Sequence, residues 1–459
     1  MVNTKFKLIA NDILNVSTDF ETGSGTNLKL DDNIISLETV PDPITSQYTV
    51  GYDYYFHISI KNISSKKMEY TFFALRPESN QNEIDWKPSK APIFCSNDKK
   101  KWFYLPDVMA SNNHMDYKCK ISISSGKTVY LSNNIPIHPH TVSKRMEILS
   151  HNNYATNHMI GKTVLGNPIE LLEIDENPKN KKDTFLIWSG IHPSEPDPIA
   201  SFWIIDWILS DVEGAKKARE KYKFQIVPMI NPDGFILGTS GCNANGINIF
   251  WDFLMDDNES SPESTAIWEW IKNNPPAISW DIHAYIYQTE KVARPYVPTI
   301  MKYPINLRRP AWKVYKSLIK MCNNQAVTGK TAESVSFSIQ MIENYGTIVL
   351  PGYHYHLADG PVKSKEFIIN SLTTIVNSLS NFSSLSAIKK QKIPKYDFYS
   401  HIWKLREFIF DRFPRKVFTY LKINKKKRLD IDLLQDWKKY SYNLSDGKPV
   451  SSIEPDSIN

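Results

Sequence analysis

The stretch that decides the fold is "WSGIHPSEPDPIASFWIIDWILSD", Trp188 to Asp211. It closes "DTFLIWSG", a short continuous apolar run of the kind that forms a strand buried on both faces. It then turns through two prolines and enters "DPIASFWIIDWILSD", a helix apolar on nearly every side. His192 and Glu195 stand three residues apart in that turn. In open α/β sheets ligands gather beyond the carboxyl ends of the strands, which is where this turn lies. A metal site is one reason to place a His and a Glu there; a pair of hydrogen-bonded structural side chains is the other.

Working outward, elements alternate in the α/β manner over residues 139–385. "HTVSKRMEILSHN" reads as a short helix and "KTVLGNPIELLEID" as a hairpin turning at Gly166-Asn167. "KFQIVPMINPDG" is a further buried strand, "SPESTAIWEWIKNN" a helix opened by a Ser-Pro-Glu cap, and "AISWDIHAY" another strand. The last offers His283, with Asp281 two residues before it and so on the same face. His192, Glu195 and His283 would make a three-ligand zinc set with the fourth position open to water.

Residues 1–138 differ in style. "YDYYFHISIKN" alternates Tyr54, Phe56, Ile58 and Ile60 against Tyr55, His57, Ser59 and Lys61, and "KMEYTFFALRP", "KKKWFYLP" and "GKTVYLSNN" repeat the pattern between turns. A small antiparallel β-sandwich is expected there. Residues 386–459 are basic and read as mainly helical, with Lys425 to Arg428 a solvated charge run.

The chain has 459 residues, 41% apolar and 23% charged, a folded composition long enough for two or three domains. A net charge of +6 spread along the chain does not point to nucleic acid. The four cysteines lack paired-ligand spacing, so neither a disulfide framework nor a thiolate zinc site is expected. With neither a signal-peptide core nor a membrane-length apolar run, a cytoplasmic protein is expected.

"HPSE", then "NPDG", then "PEST", then "DIHAY" together resemble the zinc carboxypeptidase family. The hairpin ahead of the site and the β-rich N-terminal part resemble its cytosolic-carboxypeptidase branch. The resemblance spans about residues 50 to 380. It implies a mixed-sheet catalytic domain, zinc held by His192, Glu195 and His283, and hydrolysis of a peptide or amide bond. The departures are as informative. In "NPDGFILGTSGCNANGINIFWDF" the family's carbonyl-polarising arginine falls on Gly241, its carboxylate-gripping Asn-Arg pair on Phe250-Trp251, and the preceding Asp on Asn248. An indole cannot replace a bidentate guanidinium in holding a carboxylate. Phe250 and Trp251 therefore point to an apolar subsite, and the substrate to a peptide with an apolar or blocked end, or an acylated small molecule.

The resemblance also requires a glutamate base on a late strand, read as "SVSFSIQMIENYGTIVLP". If "SFSIQ" keeps the family register, the base position is Gln340; if the strand is shifted, Glu343 fills it. The two are three apart and face opposite sides of a regular strand. Glu343 is taken as the catalytic base of a zinc hydrolase; a zinc-binding pseudoenzyme that holds a peptide or a partner is the alternative. Arg294, Arg308, Arg309 and Tyr345 are candidates to replace the missing arginine.

Overall fold

A computed structural model describes residues 9–10, 12–43, 52–75, 93–105, 109–110, 117–252, 260–285, 295–324, 326–328, 336–356, 360–389, 440–443 and 448–451. The central sheet has six strands, in the order Ala155–Lys162, Pro168–Ile174, Tyr222–Val227, Asp183–Trp188, Ile278–Tyr285 and Ile348–His356. The first three neighbours pair antiparallel and the last three pairings are parallel. It is a mixed sheet in an α/β layer arrangement. The alternation comes from the sequence: the parallel strands are rich in apolar and aromatic residues, with Phe185–Trp188 a continuous apolar run, and each is followed by helical chain.

Four parallel strands leave their carboxyl ends at one edge, which raises the site there. Helix Pro198–Ile208 anchors that edge. It starts on Pro198 at its first position and buries Ile199, Trp203, Ile204, Ile205 and Ile208. Truncating any one of these to alanine would cost about 2–5 kcal/mol, since a packed core refills such a hole only partly.

The hairpin turning at Gly166-Asn167 and the helix capped by Ser261 stand as read, the latter with Ser261 Oγ accepting from the backbone N–H of Ser264. Gly166 takes a φ of +85°, which a side chain would resist.

The N-terminal strands form two sheets. One runs Ile9–Ala10, Leu14–Ser17, His57–Asn62, Thr128–Ser132, Phe94–Ser96, Lys101–Tyr104, Tyr440–Asn443, Lys448–Ser451; the other Thr26–Asp31, Ile34–Glu38, Met68–Leu75, Tyr117–Ile123, Met109–Ala110. Val16, Ile60 and Leu131 of the first meet Leu37, Phe72 and Ile121 of the second in one apolar core. One pairing departs from the antiparallel expectation: Ile34–Glu38 runs parallel to Met68–Leu75.

Most of the C-terminal segment expected to be mainly helical lies outside the described residues; within it Tyr440–Asn443 and Lys448–Ser451 pair antiparallel, and the first pairs with Lys101–Tyr104 of the N-terminal sheet. The Lys425 to Arg428 run lies outside the described residues. The stretch expected as one strand over 334–351 is also different. Ser336–Gln340 is α-helical, Met341–Tyr345 is a single π-helical turn, and only Ile348–His356 is strand. The reason lies in the apolar spacing: Phe337, Met341 and Ile342 are buried at helical intervals, with Phe337 stacked between Trp188 at 4.1 Å and Trp268 at 5.5 Å. Gly346 then ends the turn with a φ of +62°.

Among the described residues no helix is long and apolar enough to cross a membrane.

Candidate metal centre

The turn after Trp188 is fixed before any functional side chain is considered. Gly190 adopts a φ of +69°, and a Cβ there would lie 2.7 Å from Met229 Cα, so no larger residue fits. Its N–H donates to Asp197 Oδ2 at 3.0 Å, and its carbonyl accepts from Asn231 N–H. The Asn231 amide donates to the carbonyls of Ile191 and Cys242. The first residue of "NPDG" thus pins the His192 turn to the loop that follows.

His192, Glu195 and His283 are all buried, and one ligand atom from each lies within 4.8 Å of the other two. His192 Nδ1 is 2.9 Å from Glu195 Oε1, and His283 Nδ1 is 3.1 Å from Glu195 Oε2. The far nitrogens face acceptors: His192 Nε2 meets Asn248 Oδ1 at 3.2 Å, and His283 Nε2 meets Asp281 Oδ2 at 3.1 Å. Asn248 Oδ1 also accepts from the Phe250 N–H, and Asp281 Oδ2 from the Gly352 N–H, so neither oxygen is a donor. With its hydrogen on Nε2, facing these acceptors, each neutral imidazole would turn its Nδ1 lone pair toward the Glu195 carboxylate.

Two lone pairs against an anion repel in a buried site. A cation between them removes the conflict, and two Nδ1 atoms with a carboxylate oxygen are a fitting donor set for zinc. The acceptors behind the rings are the orienting partners that ligating histidines use. The residues present fit a zinc ion.

Protons answer the same conflict in the protein alone. Burial opposes a charged imidazole, but Asp281 and Glu195 together hold His283 protonated well above the usual histidine range. Burial likewise opposes the Glu195 charge, yet His283 and His192 keep its carboxyl well below the usual range. Asp197 goes the other way: burial, helped by the Glu195 charge, lifts its carboxyl well above the usual value.

The walls are aromatic. Phe250 and Trp251 lie on a 3-10 turn, Ile249–Trp251, capped by Asn248. The Phe250 ring centroid is 5.1 Å from His283 and 5.9 Å from His192, with Trp251 edge-on to it at 4.8 Å. Gly241 sits under the Tyr52 ring, and that ring also packs 5.0 Å from His192. Asp42 holds this junction from the N-terminal side, its carboxylate accepting from the N–H groups of Ser240 and Gly241. Burial lifts that carboxyl to about 7.

The fold lies over a known architecture. The metallo-carboxypeptidase from Burkholderia cenocepacia superposes with a TM-score of 0.63 at 18% identity, over 81% of this chain and 100% of that one. The metallo-carboxypeptidase from Pseudomonas aeruginosa, solved with (2-guanidinoethylmercapto)succinic acid, superposes with a TM-score of 0.61 at 18% identity, over 80% and 99%. Residues 146–253, which contain His192, Glu195 and the "NPDG" loop, match the family model described as zinc carboxypeptidase, peptidase M14. The chain carries a zinc carboxypeptidase domain. Among curated proteins, cytosolic carboxypeptidase 6 of Caenorhabditis elegans is 26% identical over 288 residues, covering 58% of this chain and 61% of that protein. Cytosolic carboxypeptidase 6 of Mus musculus is 24% identical over 247 residues, covering 50% and 44%. The chain thus spans less than two thirds of the length of either relative.

Within the zinc carboxypeptidase domain the structure brings together His192, Glu195, His283, Phe250 and Trp251. Glu343 is placed differently. It lies on the π-helical turn, about half exposed, with Oε1 3.6 Å from Lys302 Nζ. Gln340 is half-buried at the end of the preceding helix. Of the candidates to replace the arginine, Arg308 donates Nε–H to the Tyr303 carbonyl, Arg309 is exposed, and Tyr345 packs 6.2 Å from Trp268. Arg294 lies outside the described residues. Sequence reasoning missed Tyr52, Asp42 and the orienting role of Asn248. For Asn248 the signal was its family-aligned position before Phe250; for Tyr52 nothing in the N-terminal strand pattern separates it from its neighbours.

Proposed function

We propose that this protein is a zinc-dependent hydrolase of an amide or peptide bond whose substrate has an apolar or blocked end. The observation that carries the reading is the convergence of two buried histidine Nδ1 atoms on one buried carboxylate. Bound zinc would lower the pKa of a water molecule toward about 7 and make it a nucleophile at neutral pH. His192, Glu195 and His283 would hold the ion, with Asn248 and Asp281 fixing the two rings. Phe250 and Trp251 would receive the substrate's apolar group. Glu343 is proposed to take a proton on its carboxylate and return it to the leaving nitrogen, for which it must leave its ion pair with Lys302.

The same ion pair favours a second reading, a zinc-binding pseudoenzyme that holds a peptide or a partner. Gln340, which cannot accept a proton near neutral pH, would then stand at the base position. One experiment separates them: zinc content and amide turnover of the wild type beside Glu343→Gln and Gln340→Glu. Turnover that vanishes in Glu343→Gln with zinc retained supports the hydrolase. An inactive wild type that becomes active in Gln340→Glu supports the pseudoenzyme.

We further infer a division into residues 1–138, 139–385 and 386–459, supported for the first two by two apolar cores, with Phe94, Trp102, Ile135 and Ile137 of the first part packing into the core of the second. The hairpin at Tyr440–Ser451 argues that the last part packs on the first. The names of the curated relatives support a cytoplasmic location.

A further inference from the structure

The geometry points to Tyr52, contributed by the N-terminal region, as the residue that makes the metal centre prefer uncharged substrate ends over carboxylates. This deepens the reading above and rests on it. A Cβ built on Gly241 would lie 2.1 Å from Tyr52 Cδ2 and 2.8 Å from Cε2. The ring therefore occupies the space into which any side chain at 241 would grow. The same ring packs on His192 at 5.0 Å and edge-on to Tyr54 at 5.5 Å, while the Tyr54 hydroxyl accepts from Ser194 Oγ in the ligand turn.

Its place is built in. The Tyr52 carbonyl accepts from Asp42 N–H at 2.7 Å, and the Asp42 carboxylate accepts from the Ser240 and Gly241 N–H groups. The Tyr55 N–H donates to Ser240 Oγ at 3.2 Å. Bonds on both sides of Tyr52 thus lace its segment to the 240–241 loop, and the ring cannot leave without breaking them.

The consequence is chemical. Burial and the neighbouring Glu195 charge keep the phenol protonated and neutral. With Phe250 and Trp251 it completes an aromatic wall beside the two histidines, and among the described residues that wall carries no cation. A carboxylate brought there loses its hydration without gaining a charged partner, whereas a carboxamide or an acyl chain loses far less.

The test reads binding, so it stands whether or not the protein turns substrate over. Two dipeptide hydroxamates, one ending in a free carboxylate and one in a carboxamide, are titrated calorimetrically into the zinc-loaded full-length protein. The hydroxamate anchors each on the metal and leaves the far end to report the wall. The wild type is expected to bind the carboxamide at least about tenfold more tightly, the scale of one unpaired charged group. Tyr52→Phe keeps the ring volume and should keep the preference. Tyr52→Ala should narrow it, and Tyr52→Ala with Trp251→Arg should reverse it. Equal affinities in the wild type overturn the proposal. So does an unchanged preference in Tyr52→Ala with zinc content and melting temperature retained. Should the double variant fail to fold, the Phe and Ala variants decide alone. Failure of hydroxamate binding to both ligands would instead count against the zinc reading.

Discussion

The ligand turn lies beyond the carboxyl end of Asp183–Trp188 and the 341–345 turn ahead of the amino end of Ile348–His356, and the two are built on opposite terms. At the turn, His192, Glu195 and His283 are buried and each faces a specific partner, and those partners are themselves tied to backbone N–H groups. In the later segment the acidic side chain is half exposed and its partner is a lysine 3.6 Å away on the surface. A buried network of this kind has one arrangement, because any lost partner leaves a polar group stranded. An exposed ion pair has many arrangements and little energy to choose among them. The difference teaches which polar side chains a fold holds rigid by itself and which it leaves free to rearrange.

The strongest way to break this comparison is His283→Ala. It should take the protein from about one zinc per chain to none detectable by elemental mass spectrometry, since two protein ligands rarely retain the metal. Retention of zinc would mean that the buried triad is not the binding site. Next in size are the residues behind the rings. Asp281→Asn should weaken zinc binding by roughly 10–100-fold, and Asn248→Asp should strengthen it, because a charged acceptor raises the basicity of the opposite nitrogen. Chelator competition reads both; changes of the same sign in the two variants would contradict the assigned hydrogens.

Asp42 sharpens the contrast through pH. Its folded carboxyl titrates near 7 against an ordinary value of 3.8. Between those two values the folded protein keeps a proton that the unfolded chain has released, so stability falls as pH rises through that window and levels off above it. About three units correspond to roughly 4 kcal/mol as an order of magnitude. Urea midpoints of the wild type and Asp42→Asn from pH 4 to 7.5 should diverge steadily; parallel curves would remove Asp42 as a source of the slope. The smallest effect belongs to the surface pair. Lys302→Ala should change stability by less than about 1 kcal/mol in the same urea titration, and a larger loss would mean that the 341–345 turn is held as firmly as the ligand turn.

What the sequence made legible follows the same divide. His192 and Glu195 were readable because the buried run of Asp183–Trp188 stops just before them, whereas His283 lies inside Ile278–Tyr285 with Ser279 and Asp281 and was readable only as the remaining ligand of that set. The helix Pro198–Ile208 and the hairpin at Gly166-Asn167 were readable for the same local reason. The 336–345 segment misled because "SVSFSIQMIENY" alternates well enough for a strand. Two indoles remote in sequence, Trp188 and Trp268, decide instead where Phe337 goes. Tyr52 was illegible because its neighbour in space, Gly241, has no side chain to advertise the contact.

The distance along the chain between Glu195 and His283 has a kinetic meaning. The two are 88 residues apart, and they meet only when Asp183–Trp188 and Ile278–Tyr285 are aligned side by side. Closing so long a segment comes late and costs entropy before any contact repays it. A nascent chain that has emerged only as far as Glu195 holds two of the three candidate ligands and would not retain an ion. Metal capture would therefore mark the moment at which the central sheet has found its register, and zinc supplied during refolding would trap that state without speeding the search for it.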